Sequence, residues 1–259
     1  MRVALFIPCY IDQLYPDVGF ACLELLEAYG IQVEVPAGQT CCGQLLTNRG
    51  ALRAARPLAQ RFQAGFVGYD HVICPSGSCA AALRRQIHTL GGEASGASAR
   101  VVELCQFLVS VLGAPPSAAA FPHRVALHES CHALRELGLG RPSELGPGPA
   151  GPENPARQLL RAVPELTLVE PARRDECCGF GGSFSVVEPE VSARMGNDRI
   201  LDFEQAGAEV VTSTDMSCLM HLSGLMRRQR RPLTVMHISQ VLVGRAPSRA
   251  PLLPRTEPG

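Results

Sequence analysis

Residues 176–186 read ECCGFGGSFSV, and an earlier stretch, residues 38–44, reads GQTCCGQ. Both contain the triplet Cys-Cys-Gly, and each triplet lies between two single cysteines that are distant along the chain. The two resulting sets are Cys9, Cys41, Cys42 and Cys79, and Cys131, Cys177, Cys178 and Cys218. Because each set has the order single, adjacent pair, single, the pattern divides the chain into two similar halves.

Sequence outside the cysteines repeats as well. The stretch RVAL occurs at residues 2–5 and again at residues 124–127, and the stretch VVELCQFL at residues 101–108 is similar to VMHISQVL at residues 235–242. Because the duplicated unit keeps its cysteines at matching positions, we infer that the function of the unit depends on them.

The repeat predicts the domain organisation. The cysteines of the second half are more widely spaced, and a Pro/Gly-rich stretch in that half has the composition of a surface insertion. We predict a first repeat at residues 1–112, a linker at 113–122, a second repeat at 123–244 with an insertion at 141–157, and a disordered tail at 245–259.

Short apolar segments precede the cysteine groups, and their β-branched residues are typical of buried strands. The predicted strands are residues 3–7, 32–35 and 71–73 in the first half, and 125–127, 166–169 and 210–212 in the second. Helical spacing follows the first of them, at residues 17–29. The predicted fold is therefore α/β, with two tandem repeats of a small domain of parallel strands. The cysteines would lie in loops at the carboxyl ends of the strands, where open α/β sheets bind ligands.

Composition narrows the class of protein. The chain has 259 residues, is 46% hydrophobic and carries a formal net charge of zero, so it lacks the electrostatic signature of a nucleic-acid-binding protein. We recognise neither a signal peptide nor an apolar stretch of membrane-spanning length. We therefore expect a cytoplasmic protein without a transmembrane segment. Its eleven cysteines would stay reduced there, and so many thiols are usually metal ligands or redox groups.

Thiolates are soft ligands that suit iron–sulfur clusters and zinc. Structural zinc sites usually combine two Cys-x₂₋₄-Cys pairs, whereas this chain has adjacent cysteines flanked by distant single ones. Four thiols per half are sufficient for a [4Fe–4S] cluster. Each cysteine set is therefore predicted to hold a soft metal centre. A zinc-stabilised structural module is the alternative, and the sequence assigns no catalytic residue.

Five motifs carry a family resemblance. They are GQTCCGQ (38–44), PSGSC (75–79), ECCGFGGSFSV (176–186), DMSCLMHLSG (215–224) and VMHISQVL (235–242). Over about residues 1–245, the chain resembles the cysteine-rich CCG domain family. This family includes the B subunit of heterodisulfide reductase and iron–sulfur subunits of glycolate and glycerol-3-phosphate dehydrogenases. Within it, the chain is most similar to the lactate utilization proteins.

The resemblance implies an iron–sulfur protein that transfers electrons while L-lactate is oxidised to pyruvate. The expected cofactor is one [4Fe–4S] cluster per repeat, held by the two cysteine sets, and a single shared or partly occupied site is the alternative. Such a chain is a component of an oxidoreductase complex of the L-lactate dehydrogenase type rather than a stand-alone enzyme. Its implied partners are a subunit with ferredoxin-type clusters and a third small subunit. Alternatives from the same family are a thiol/disulfide redox subunit of the heterodisulfide reductase type and the iron–sulfur subunit of a glycolate oxidase.

The chain departs from the fuller family pattern at two positions. That pattern ends each half with Cys-x-x-Cys, which gives five thiols, but here the first of these two cysteines is replaced by Ser76 and by Asp215. Cys74 lies two residues before Ser76 and remains open as a ligand or a structural residue. The resemblance links five thiols to disulfide cleavage, so the departure favours plain electron relay.

Two further cysteines and three histidines have less specific interpretations. Cys22 lies on the apolar face of a predicted helix, and Cys105 matches Ser239 in the second half, so both are predicted to be structural. His128 and His132 flank Cys131 and are interpreted as hydrogen-bonding a ligand or as having no role. His237 lies in a repeated segment and is interpreted as a partly buried histidine near the second cluster, with its bonds satisfied.

Overall fold

The computed structural model describes residues 1–89, 96–113, 119–146 and 153–248. Eight strands form two four-stranded sheets. They are β1 (Val3–Leu5), β2 (Val33–Glu34), β3 (His71–Cys74), β4 (Val101–Glu103), β5 (Arg124–Leu127), β6 (Thr167–Val169), β7 (Val210–Ser213) and β8 (Thr234–His237). The strand orders are β2-β1-β3-β4 and β6-β5-β7-β8, so the two sheets have the same topology.

Every strand pair in both sheets is parallel. Val3 of β1 lies opposite Val33 of β2, and Val125 of β5 lies opposite Leu168 of β6. Parallel strands need crossover connections, and helices provide most of them. The predicted α/β class, with two tandem repeats of parallel strands, is confirmed.

Eleven α-helices lie in the described part of the chain. They are α1 (Cys9–Leu14), α2 (Pro16–Ala28), α3 (Gln44–Asn48), α4 (Leu52–Gly65), α5 (Gly77–Thr89), α6 (Leu104–Gln106), α7 (Pro155–Arg161), α8 (Phe184–Val187), α9 (Pro189–Gln205), α10 (Met216–Gln229) and α11 (Ile238–Leu242). In the described ranges, none of these helices is long and apolar enough to cross a membrane.

Helix α2 illustrates how local sequence sets an element. It begins at Pro16, whose fixed φ suits the first helical position. It ends just before Gly30, which has a φ of +71° and reverses the chain toward β2. Its buried face includes Val18, Cys22 and Leu25, as the helical spacing in the sequence predicted.

Each sheet contains a fourth strand that the sequence analysis did not predict. β4 lies at the start of the segment at 101–108, and β8 overlaps the start of the similar segment at 235–242. Val72 pairs with Val101, and Val211 pairs with Val235. These strands have only three or four residues, and a helical turn follows each without a break. The apolar run is therefore continuous, and its periodicity does not reveal the boundary.

One core connects the two sheets. Buried residues of the first half, such as Leu5 and Leu26, belong to the same apolar cluster as Val125, Val211 and other residues of the second half. A smaller cluster in the first half contains Phe62 and Phe66, whose rings stack at 4.8 Å. Because the halves share a core, their cysteine loops keep a fixed relative position.

Parts of the predicted linker, insertion and tail lie outside the described residues, namely 114–118, 147–152 and 249–259. The boundaries predicted for the two repeats therefore stay a prediction.

A buried acid at the end of β4 makes stability depend on pH. The carboxyl group of Glu103 is 1% exposed; Oε2 accepts the Gln106 N–H at 2.9 Å, and Oε1 has no partner among the described residues. Burial is the main cause that raises the pKa of Glu103 from 4.5 to about 7. Between these two values the folded protein binds more protons than the unfolded chain, so stability falls as pH rises.

We expect the free energy of unfolding to fall by up to about 3 kcal/mol between about pH 5 and about pH 8 through this group alone. Glu103→Gln removes the titrating proton and should remove that part of the decrease. The measurement is urea unfolding of both proteins at the two pH values. Equal pH dependence in the wild type and the variant would contradict the prediction.

Candidate metal centre

The single cysteines lie at the beginnings of helices. Cys9 is the first residue of α1, Cys79 is the third residue of α5, and Cys218 is the third residue of α10. As the sequence predicted, these cysteines follow the ends of strands, and two or three residues separate each of the helices from the strand before it. The fold therefore presents these predicted ligands just beyond the carboxyl ends of the strands.

The first cysteine set comes together beyond the ends of β1 and β3. The Sγ atoms of Cys9 and Cys41 are 3.7 Å apart, and those of Cys42 and Cys79 are 3.4 Å apart. Cys42 and Cys79 are buried, whereas Cys9 and Cys41 are half-buried. The backbone N–H of Gly43 donates to Cys41 Sγ at 3.4 Å. Three segments distant in sequence thus deliver four thiols to one place.

The second set has the same arrangement. Cys177 lies beside Cys131 and Cys178, and Cys178 lies beside Cys218. The backbone N–H of Gly179 donates to Cys177 Sγ at 3.4 Å, the same contact that Gly43 makes in the first set. A ring nitrogen of His128 and the Sγ atoms of Cys178 and Cys218 all lie within 4.8 Å of one another. The spacing of this group would suit a metal ion.

Crowding within each set separates the pKa values of its thiols. Hydrogen bonds from Cys42 and Cys9 lower the pKa of Cys41, and those from Cys131 and Cys178 lower the pKa of Cys177. The same contacts raise the pKa of Cys42. Several thiolates so close together repel one another, so all four ionise together only when a cation compensates their charge. The donor set therefore fits a metal or iron–sulfur centre.

Both sets open into one cavity between the repeats. All eight predicted ligands line this cavity. Tyr10 of the first half and Phe180 of the second half also line it, and their rings meet edge to face at 6.1 Å. Groups bound by the two sets would therefore face each other across this shared space.

Two cysteines of each set also line a separate opening that does not include the other set. Cys9 and Cys41 line an opening beside Asp12, whereas Cys131 and Cys177 line an opening that contains three arginines. Those arginines are Arg135, Arg173 and Arg174, and two acidic residues, Asp175 and Glu176, line the same opening. The formal charge of the lining is therefore positive on that side, with three arginines against two acids, and negative on the side of Asp12.

Ser76 and Asp215 meet at the boundary between the halves. Asp215 is completely buried and accepts hydrogen bonds from Ser76 Oγ at 2.7 Å, Ser78 Oγ at 2.6 Å and the Ser78 N–H at 3.0 Å. The Ser130 hydroxyl also donates to Asp215. The sequence identified Ser76 and Asp215 only as the positions of two missing thiols. The structure pairs them, so the second half holds the PSGSC loop of the first.

The other cysteines lie in the cores. Cys22 and Cys105 are buried in the shared core, and Cys74 is buried in the smaller core of the first half, where its Sγ lies 3.4 Å from the Ser76 carbonyl oxygen. Burial raises the pKa of Cys22 to about 12 and raises that of Cys74. In the described part of the chain, these three thiols are absent from the cavity lining.

Two of the histidines have satisfied rings. His237 caps α11, and its Nε2 lies 3.0 Å from the Pro75 carbonyl oxygen, so it also joins the two halves. His132 Nε2 lies 3.0 Å from the Gln44 side-chain amide, and its Nδ1 lies 3.5 Å from Cys131 Sγ.

The glycines of the two Cys-Cys-Gly triplets provide a matched pair of variants. Gly43 has a φ of +80° with free space around it, since a Cβ would come no closer than 3.6 Å to Leu58. Gly179 has a φ of +83°, but a Cβ there would lie 2.6 Å from the Ser192 carbonyl oxygen. Gly43→Ala therefore adds only backbone strain, of about 1 kcal/mol, whereas Gly179→Ala adds a steric clash that cannot be relieved by a flexible side chain.

We expect Gly179→Ala to displace the adjacent cysteines and to lose the metal of the second set, with Gly43→Ala retaining the metal of the first. Metal analysis of the two purified variants measures this difference. Full metal content in Gly179→Ala would contradict this prediction, because the second set would then bind its metal in spite of the added methyl group.

The match to a known protein family falls into two ranges, one in each half of the chain. The cysteine-rich domain family matches residues 3–84 and 125–223. "Lactate utilization protein A" of Geobacillus thermodenitrificans is 39% identical over 248 residues, which cover 93% of this chain and 98% of the relative. The proteins of the same name from Oceanobacillus iheyensis and Bacillus licheniformis are 36% and 34% identical, and cover 93% and 95% of this chain and 96% and 100% of the relatives.

Solved structures give a more distant likeness. A putative Asp/Glu racemase from Yersinia pestis aligns over 93% of this chain and 95% of its own with a TM-score of 0.36 at 8% identity. The aspartate racemase of Picrophilus torridus aligns over 93% and 91% with a TM-score of 0.32, also at 8% identity. Similarity at this level says nothing about the cysteine site.

Proposed function

This chain is a member of the cysteine-rich CCG domain family, and from that premise we propose that it is an iron–sulfur electron-transfer protein. The observation that carries the proposal is the cavity between the repeats, which all eight cysteines of the two sets line. Each set provides four thiols, the number that a [4Fe–4S] cluster requires. When bound, such clusters would supply one-electron redox chemistry.

The ligands proposed for the first cluster are Cys9, Cys41, Cys42 and Cys79, and those for the second are Cys131, Cys177, Cys178 and Cys218. Within each set, the N–H group of the following glycine donates to one cysteine of the adjacent pair. Such donors stabilise the negative charge on the thiolates.

We propose that the electrons come from L-lactate. The relatives named lactate utilization protein A match nearly their whole length, so the comparison covers the full site rather than a fragment. On this proposal the chain is a cytoplasmic subunit of a complex that oxidises L-lactate to pyruvate. A subunit with ferredoxin-type clusters and a third small subunit would complete that complex.

The heterodisulfide type of chemistry is less well supported. In the fuller family pattern a fifth thiol occupies each of the positions of Ser76 and Asp215, and here these two side chains bond to each other at 2.7 Å. Cys74, the remaining candidate for a fifth thiol, lies in the core of the first half. Electron relay between two four-thiol clusters therefore fits the described residues better than disulfide cleavage.

Anaerobic purification followed by iron, sulfide and zinc analysis tests the cluster proposal. Iron and sulfide in equal amounts, with visible absorbance and an EPR signal after reduction, would support it. Zinc without sulfide, in a colourless protein, would leave a structural module instead.

Growth experiments test the substrate. A strain that lacks this protein should fail to grow on L-lactate, and the intact gene should restore growth. Normal growth on L-lactate together with a defect on glycolate would assign the chain to a glycolate oxidase.

A further inference from the structure

The two cysteine sets differ at one buried position. The first repeat begins RVALFIPC at residues 2–9, and the second begins RVALHESC at residues 124–131, so Phe6 corresponds to His128. Both side chains are about 1% exposed. An apolar ring thus lies behind the first set, whereas an imidazole lies behind the second. A buried imidazole requires hydrogen-bond partners, and these show what the ring does.

Arg199 of α9 provides one partner. Its guanidinium is fully buried, and its Nε–H donates to His128 Nδ1 at 3.4 Å. The same guanidinium donates to Asp202 at 2.8 Å, to the carbonyl oxygen of Arg174 at 2.8 Å and to that of Arg173. Because these two carbonyl groups belong to the segment just before Cys177, Arg199 fixes the position of the cysteine loop relative to the imidazole.

The contact with Arg199 determines where the imidazole carries its proton. Nδ1 accepts a hydrogen bond and therefore has no proton of its own, so the proton of the neutral ring lies on Nε2. Burial and the Arg199 charge lower the pKa of His128 to about 3, which agrees with a neutral ring. The ring is further held edge to face against Phe203 at 6.2 Å. His128 consequently has one N–H group left to donate.

The thiols of the second set lie beside the imidazole ring. A ring nitrogen of His128 lies within 4.8 Å of the Sγ atoms of both Cys178 and Cys218, and Arg199 already occupies Nδ1. We propose that His128 Nε2–H is a hydrogen-bond donor to the sulfur atoms of the second centre, and that it gives this centre a more positive reduction potential than the first. The inference rests on the proposed iron–sulfur function.

The physical reason is electrostatic. Reduction adds negative charge to a cluster, and an N–H group directed at its sulfur atoms stabilises that charge inside a low-dielectric core. Phe6 offers the first centre no such donor. Electrons that enter at the first centre would therefore move energetically downhill to the second across the shared cavity.

A redox titration of the holoprotein, monitored by EPR, tests the proposal with two variants at this position. The signals that Cys178→Ser removes identify the second centre. His128→Leu deletes the donor. At a fixed solution potential, we expect the ratio of oxidised to reduced second centre to rise about tenfold, which corresponds to a fall in its reduction potential of about 59 mV for one electron. His128→Gln retains an amide N–H and should recover most of the shift. Phe6→Leu, the matched control in the first repeat, should leave both potentials unchanged.

Unchanged potentials in a His128→Leu protein that still holds iron and sulfide would overturn the proposal. An absence of iron and sulfide in the wild type would instead overturn the proposed function. If His128→Leu does not fold, ENDOR spectroscopy of ¹⁵N-histidine-labelled His132→Gln decides, because His132 Nδ1 also lies 3.5 Å from Cys131 Sγ and this variant removes it. A weak through-space nitrogen coupling and an exchangeable proton at the second centre of this variant support the donor; a strong coupling, which indicates a direct iron–nitrogen bond, or no coupling overturns it.

Discussion

Cys42→Ser and Cys178→Ser should each lose half of the bound iron and sulfide. On the proposed stoichiometry the wild type holds about eight iron and eight sulfide per chain, and each variant should retain about four of each. Cys42 and Cys178 are the buried members of the two adjacent pairs, 4% and 2% exposed, so no solvent molecule easily replaces the lost thiolate. The measurement is iron and sulfide analysis of anaerobically purified protein, with EPR to show that a different signal disappears in each variant.

The chain contains a matched control for this experiment. Cys105 is completely buried in the shared core, and the corresponding residue of the second repeat is Ser239. Cys105→Ser should therefore retain all of the iron and sulfide. Loss of both EPR signals together in Cys42→Ser would contradict two independent centres and would favour a single shared one. Loss of iron in Cys74→Ser would show that Cys74 is a ligand and would favour the heterodisulfide type of chemistry.

Asp215→Leu should destabilise the protein by about 3–5 kcal/mol, because each buried donor that is left without an acceptor costs about 1–3 kcal/mol. The carboxyl group accepts hydrogen bonds from the hydroxyl groups of Ser76, Ser78 and Ser130 and from the Ser78 N–H. Leucine accepts none of them, so these buried donors would lose their partner. For a protein of this size, the expected fall in melting temperature is about 10 °C or more.

Thermal unfolding of the purified protein provides the measurement, and Asp70→Leu provides the control. Asp70 is exposed and accepts a single hydrogen bond, from the Arg2 backbone N–H at 2.7 Å. Its replacement should lower the melting temperature by only about 2 °C. Asp215→Asn, which retains an acceptor oxygen, should lie between the two. Equal melting temperatures of Asp215→Leu and the wild type would show that the contact between the halves contributes nothing to stability.

Much of the fold could be predicted from the sequence because the duplication is explicit. The repeated RVAL stretches indicated β1 and β5, and the cysteine groups that follow indicated the ends of the strands. The fourth strand of each sheet was missed. β4 and β8 are short and continue directly into helices, so hydrophobic periodicity does not reveal them. Their similarity to each other was the available signal.

The sequence alone determined that two sets of four cysteines exist, and that each follows buried strands in a repeated α/β unit. These features are local and periodic, so they can be recognised from the order of residues alone. Only the tertiary structure decided that both sets open into one cavity. It also decided that Asp215 bonds to Ser76 and that Arg199 bonds to His128. The partners in these contacts are 139 and 71 residues apart in the chain, and the packing of the two sheets around a shared core is what brings them together.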